Sequence, residues 1–156
     1  MRKIVLLVTA PLLYVAISVN AVQAVQWLGP QQGKGHIFRQ ADLESLLADN
    51  PLGANENIKA VPLYRSERSS NVLVQIRDRE PLHLHADSDI TVFMLRGKGE
   101  LRIGKQMQPV NAGDVLHIPR GAVHTYINRG PEPAAALVVY SPAPGPKDRI
   151  LVEDKP

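Results

Sequence analysis

Three histidines stand where they could do chemistry. His83 and His85 are one residue apart in the apolar run Pro81-Leu82-His83-Leu84-His85. In an extended strand alternate side chains share a face, so both imidazoles project the same way and can chelate one ion. His124 follows Pro119-Arg120-Gly121, a turn that sends the chain back toward the same wall. Any one of these alone would be read as a core or surface histidine; the spacing of all three points to a divalent metal. Cysteine is absent, which excludes disulfides, thiolate nucleophiles and thiolate zinc sites and leaves nitrogen and oxygen as donors. An imidazole set disfavours calcium and magnesium and leaves zinc, manganese, iron, nickel or copper. Neutral imidazoles keep the ion's double charge and its open positions, which suits Lewis-acid work or an anionic substrate. Tyr126 and Asn128 share the strand face of His124. Either they bond a ligand or orient an imidazole, or Tyr126 fills the interior and Asn128 ends the strand. His117, on a strand of its own, is assigned to packing, and His36 has no partner in sequence.

The elements that must position these groups are short strands. From Ile58 onward, apolar and β-branched runs recur, closed by Gly, Pro, Asn or Asp. They are 59–64, 71–77, 82–85, 90–96, 100–103, 106–110, 115–118, 123–128 and 134–140. So many short antiparallel strands close into a barrel or a jelly roll rather than stay an open sheet. Gly97-Lys98-Gly99 and Asn111-Ala112-Gly113-Asp114 are read as hairpin turns with glycine at positive φ. Neither cluster, nor Gly33-Lys34-Gly35, has the ending of a phosphate cradle. Before the strands, residues 40–50 place Leu43, Leu46 and Leu47 on one helical face, and Asn50-Pro51 ends that helix. After them, the prolines of 141–146 predict an extended strap, and 147–156 is read as a loosely held tail.

At 156 residues the chain suits one domain. Arg2 and Lys3 precede an uncharged run from Ile4 to Val19, followed by Ala21-Val22-Gln23-Ala24. This pattern is a secretory signal with a cut after Ala24; the alternative is an uncleaved anchor, for which the run is shorter than the ~20 residues of a span. The expected organisation is a signal peptide at 1–24, an extension with the short helix at 25–57, a barrel at 58–146 and a tail at 147–156. The location is periplasmic or secreted, with no stable membrane span once the signal is removed. Losing Arg2 and Lys3 leaves 16 basic against 15 acidic residues, so the net charge falls from +3 to +1. The remaining charges are mixed in sign, as in Arg65-Ser66-Glu67-Arg68 and Arg77-Asp78-Arg79-Glu80, and are read as solvated strand ends rather than a nucleic-acid footprint.

The histidine runs carry a resemblance. Pro81-Leu-His83-Leu-His85 followed by Leu95-Arg-Gly97-Lys-Gly99 resembles the first motif of the cupin superfamily. Gly113-Asp114, Ile118-Pro119-Arg-Gly121-Ala-Val-His124 and Asn128 resemble its second. The resemblance implies an all-β double-stranded β-helix, the cupin jelly-roll barrel, with a metal deep in its wide end on His83, His85, His124 and a glutamate between the motifs. This chain departs from the pattern there, because the carboxylate position is held by Ile90. Asp89, one residue away, would face the opposite side unless a bulge or loop precedes it. The site is therefore a three-histidine set, or the same set with Asp89 as fourth ligand. Arg77 also replaces the glycine that usually opens the first motif.

Two functions follow as expectations. One is a metal-dependent enzyme acting on a small molecule, such as an oxygenase or isomerase. The other is a non-catalytic module that binds or senses a metal or small ligand, favoured by the lack of a second acid or base near the histidines in sequence. A metal-free scaffold is the third alternative. A homodimer through the 58–77 edge is what the resemblance implies.

Overall fold

The computed structural model describes residues 39–153. Residues 1–24, where a signal is expected, residues 25–38 with His36, and residues 154–156 lie outside the described residues.

A 3-10 turn, Gln40–Asp42, leads into helix α1, Leu43–Asp49. The strands are β1 (Ile58–Arg65), β2 (Ser70–Ile76), β3 (His83–His85), β4 (Asp89–Arg96), β5 (Lys98–Ile103), β6 (Gln106–Asn111), β7 (Val115–Ile118), β8 (His124–Asn128), β9 (Ala134–Ser141) and β10 (Arg149–Leu151). They form two five-stranded sheets, ordered β1-β2-β9-β4-β7 and β10-β3-β8-β5-β6. From β2 onward the chain changes sheets at nearly every connection, β5–β6 being the exception. The fold is an all-β double-stranded β-helix with one short helix. Proline marks the margins, where a missing N–H costs no ladder bond: Pro62 lies on β1 and Pro109 on β6, each an edge strand.

Alternation decides what faces inward. Along β4, Ile90, Val92 and Met94 are buried in the core while Phe93 between them is exposed. Val74 and Ile76 of β2, Ala136 and Val138 of β9, and Leu101 of β5 meet them from the other walls. Helix α1 lies on the outer face of the first sheet and buries Leu43 and Leu47 against Val61, Leu73 and Ala135, roughly 1.5–3 kcal/mol for each leucine. Its end is fixed by the Asn50 side-chain amide donating to the Leu46 carbonyl at 3.0 Å, just before Pro51. The Arg96–Glu44 ion pair beside it is exposed and contributes at most about 1 kcal/mol.

Two expectations are corrected. Gly97 (φ +94°) and Gly113 (φ +98°) do adopt positive φ, but neither closes a hairpin. Each is a corner at which the chain leaves one sheet for the other, since β4 pairs with β7 and β9, and β5 with β6 and β8. The tight hairpin lies instead at Gly104-Lys105, between Ile103 and Gln106, with Gly104 at φ +57°. Gly99 is needed for a different reason, because a Cβ there would collide with the Tyr126 ring and the Ile127 carbonyl. The second correction concerns the tail. Residues 149–151 form β10, which pairs antiparallel with β3 in the register Arg149↔His85 and Leu151↔His83. The Val152 N–H then donates to the Leu82 carbonyl at 2.9 Å. The barrel therefore runs past residue 146.

Candidate metal centre

Strand β3 is three residues long, and His83 and His85 both point inward, 2% and 4% exposed. His124 opens β8 directly opposite His83 in the ladder and is 2% exposed. The ring centroids are 4.3 Å apart for His83–His124, 5.2 Å for His83–His85 and 5.6 Å for His85–His124. Each ring offers a nitrogen, and the three nitrogens lie within 4.8 Å of one another.

The hydrogen bonds determine which nitrogens those are. His83 Nδ1 is 2.8 Å from the Pro81 carbonyl, and His124 Nδ1 is 2.9 Å from the Ala122 carbonyl. His85 Nδ1 is 2.6 Å from Asp148 Oδ2. Carbonyl and carboxylate oxygens only accept, so each Nδ1 carries the proton and each Nε2 keeps its lone pair. This is the arrangement that supports a metal-bound imidazole from its far side. Burial keeps two of the rings neutral: it pushes His83 down to about 3, with His124 adding to the effect, and it also lowers His124. A neutral imidazole is the form a metal requires.

Nothing in the sequence marks Asp148 as the partner of His85. Burial alone would raise its carboxyl, but hydrogen bonds from the Asp87 N–H, His85 and the Ser88 N–H reverse that and hold it below the ordinary range. Its Oδ1 accepts the Asp87 and Ser88 N–H groups at 2.8 and 2.9 Å. The side chain is 1% exposed.

The three histidines open onto a cavity of about 350 Å³ inside the barrel. Most of its wall is aliphatic; its polar lining includes Glu80, Tyr126, Tyr140 and Arg149. Glu80 is not part of the solvated charge run that its sequence neighbours suggest. Its backbone is held by the Thr125 hydroxyl donating to the Glu80 carbonyl at 2.7 Å and by the Glu80 N–H donating to the Tyr126 carbonyl at 3.0 Å. Its carboxyl lines the cavity, and burial pushes it up to about 7 against the opposing pull of Arg149 and a backbone bond at Tyr126. Tyr140 stacks edge-on against His85 at 5.3 Å, and burial, with Glu80, pushes it up to about 12.

The other residues named from sequence separate. Tyr126 lines the cavity, 5% exposed, with its hydroxyl buried and lacking a hydrogen-bond partner. Asn128 does not join it. Its amide donates to the Arg77 and Glu132 carbonyls, both at 2.8 Å, and its Oδ1 accepts the Gly130 N–H, so it ends the strand. Asp89 faces away from the imidazoles and accepts the Arg120 N–H at 2.9 Å, while Ile90 takes the inward position. The only register shift between β4 and β9 falls between Met94 and Arg96, too far along to turn Asp89 inward. His117 is exposed on β7, opposite Thr91, rather than packed.

The sequence model of the Cupin domain matches residues 71–140, spanning both histidine-bearing strands. Residues 71–140 form a cupin domain. An uncharacterized protein of Aquifex aeolicus (strain VF5) is 37% identical over 112 residues, 72% of this chain and 91% of the relative. The crystal structure of TT1209 from Thermus thermophilus is 30% identical, with a TM-score of 0.57 over 66% of this cupin and 96% of that chain. A protein with a double-stranded β-helix domain from Klebsiella pneumoniae, 21% identical, covers 78% of this chain and all 100% of its own at a TM-score of 0.61, a likeness of fold.

Two outcomes follow from the cupin's site. Between its ordinary 4.5 and its folded value of about 7, Glu80 holds a proton in the folded state that the unfolded chain has released, so its contribution to stability is lost as pH rises through that window. His83 works in the opposite sense, costing stability as pH falls from 6.5 toward about 3. Urea titrations of the wild type and Glu80→Gln across pH 4.5 to 7 isolate the first effect: the wild type should lose stability relative to the variant as pH rises, and parallel curves would contradict the assignment. Asp148→Asn removes the anionic acceptor behind His85 and should weaken metal binding about 10- to 100-fold, measured by competition with a chromogenic chelator on the folded protein.

Proposed function

We propose that this cupin is an exported protein that holds one divalent transition metal on Nε2 of His83, His85 and His124 and binds a small molecule beside it in the cavity. The observation that carries the reading is the commitment of all three Nδ1 atoms to acceptors, which leaves three lone pairs facing one buried space. Zinc, manganese, iron, nickel and copper all suit such donors. When bound, the ion would supply a Lewis acid to an oxygen of the ligand.

The chain's own groups favour catalysis over passive binding. The sequence showed no second acid or base near the histidines, whereas in the folded chain Glu80 lines the same cavity. A carboxyl raised to about 7 can both give and take a proton near neutral pH. Most of the wall around these groups is aliphatic. Proton transfer within a small substrate, an isomerase-type reaction, uses all of these groups; an oxygenase would leave Glu80 without a task. A non-catalytic ligand carrier remains the alternative and would show tight binding without turnover.

Elemental analysis of the purified protein after loading should find about one transition-metal ion per chain, and alanine at any one of the three histidines should lower that content sharply. Chelation should lower the melting temperature of the loaded wild type, as removal of a ligand that binds only the folded state must. Wild-type protein that takes up no metal under any loading overturns the proposal. Export has its own readout: the mass of the protein recovered outside the cytoplasm should correspond to a chain beginning at Val25, and recovery of the intact chain in the cytoplasm alone would argue against it.

A further inference from the structure

The cavity wall carries one permanent charge. Among the described residues, Arg149 is the lone Lys or Arg lining it. It reaches that position because β10 pairs with β3, setting Arg149 directly opposite His85 on the inward face of the sheet. No carboxylate lies within ion-pair distance of its guanidinium among the described residues, although five other basic side chains find an acidic partner. The two acids nearest in the fold are otherwise engaged. Asp148 is tied to His85 and to two backbone N–H groups. Glu80 stays largely protonated until about pH 7 because of its burial.

The rest of the wall suits an apolar body: Tyr126 lines it as well, while its hydroxyl end is buried against Gly99. The cavity thus offers a fixed cation and an aliphatic surface that includes Ile76, Val92 and Ile118. Its volume of about 350 Å³ lies at the small end of the ~300–1,000 Å³ typical of ligand sites.

We propose that the ligand of this cavity is a small organic acid with an apolar body, its carboxylate paired with Arg149 and its body against the aliphatic wall. The guanidinium fork matches a carboxylate geometrically and remains charged at every working pH. This deepens the preceding proposal and rests on it only for what happens at the other end of the acid, where a second oxygen would meet the metal. The pairing with Arg149 itself needs no metal.

The test is calorimetric titration of the full chain, metal-loaded and chelated, with 4-methylpentanoate, 4-methyl-2-oxopentanoate, the primary amides of both, and inorganic phosphate. Both acids should bind the chelated protein, and their amides should bind about tenfold more weakly or less, the loss expected for one charge-assisted hydrogen bond. The oxo acid should gain further on metal loading. Arg149→Gln should erase the acid-over-amide preference, Arg149→Lys should retain part of it, and neither should change metal content. Equal binding of acid and amide overturns the proposal, as does an unchanged preference in Arg149→Gln or no saturable binding of either acid at millimolar concentration. Phosphate binding as tightly as the acids would mean an inorganic-anion site and likewise overturns it. If metal loading fails while acid binding to the chelated protein depends on Arg149, the metal reading falls and this one stands.

Discussion

The site depends on where three protons point. Each imidazole gives its Nδ1–H to an acceptor behind it, and this turns three Nε2 lone pairs toward one another. For His83 and His124 the acceptor is the carbonyl two residues back, Pro81 and Ala122, so each ring is oriented by the strand entry that precedes it. His85 differs, because its acceptor Asp148 lies 63 residues away. That carboxylate is itself fixed by the N–H groups of Asp87 and Ser88, which begin the turn from β3 to β4. One buried anion therefore ties the C-terminal strand, the β3–β4 turn and an imidazole together, and charge-assisted bonds of this kind are the strong ones.

The aliphatic interior does more than hold the sheets together. Removing a charged form from water is costly, whatever its sign. The same burial pushes His83 and His124 down and Glu80 up, so bases and acid alike tend toward their neutral forms near pH 7. Arg149 stands at the exposed end of the wall and brings the one fixed charge. The cavity is thus an apolar chamber with neutral donors in its depth and one cation on its wall, and a bound dication would add to that positive field. Anions are the species such a chamber selects.

Much of this was legible in the sequence because it is written locally. The alternation of His83 and His85 and the turn before His124 need only local pattern, and the resemblance to the cupin motifs adds that Ile90 holds the usual carboxylate position. The strands themselves lie within a residue or two of where the apolar runs place them. What was illegible is set by distant contacts. Glycine at 97 and 113 announces positive φ but not which sheet the next strand joins. Glu80 sits in a run of mixed charge, and only its pairing with Thr125 and Tyr126 directs it inward. Arg149-Ile150-Leu151 is too short to show a period, and Asp148 before it looks like any surface acid until β3 is placed beside it. Asn128 gave the opposite difficulty: its position fits a motif near a ligand, while its amide is spent holding the end of β8.

The C-terminal strand shows why the missed residues belong together. Neighbouring residues of an extended chain point in opposite directions, so the step from Asp148 to Arg149 places an anion behind His85 and a cation on the wall of the chamber. The two cannot cancel each other, because Asp148 is already enclosed by three donors. A strand of three residues bound to another strand of three residues would have little pairing energy alone. Asp148 supplies what the ladder lacks, and in doing so holds Arg149 in register with His85. The support of the metal-side imidazole and the presentation of the anion-binding side chain are consequently a single packing event, so the strand cannot leave the barrel without dismantling both.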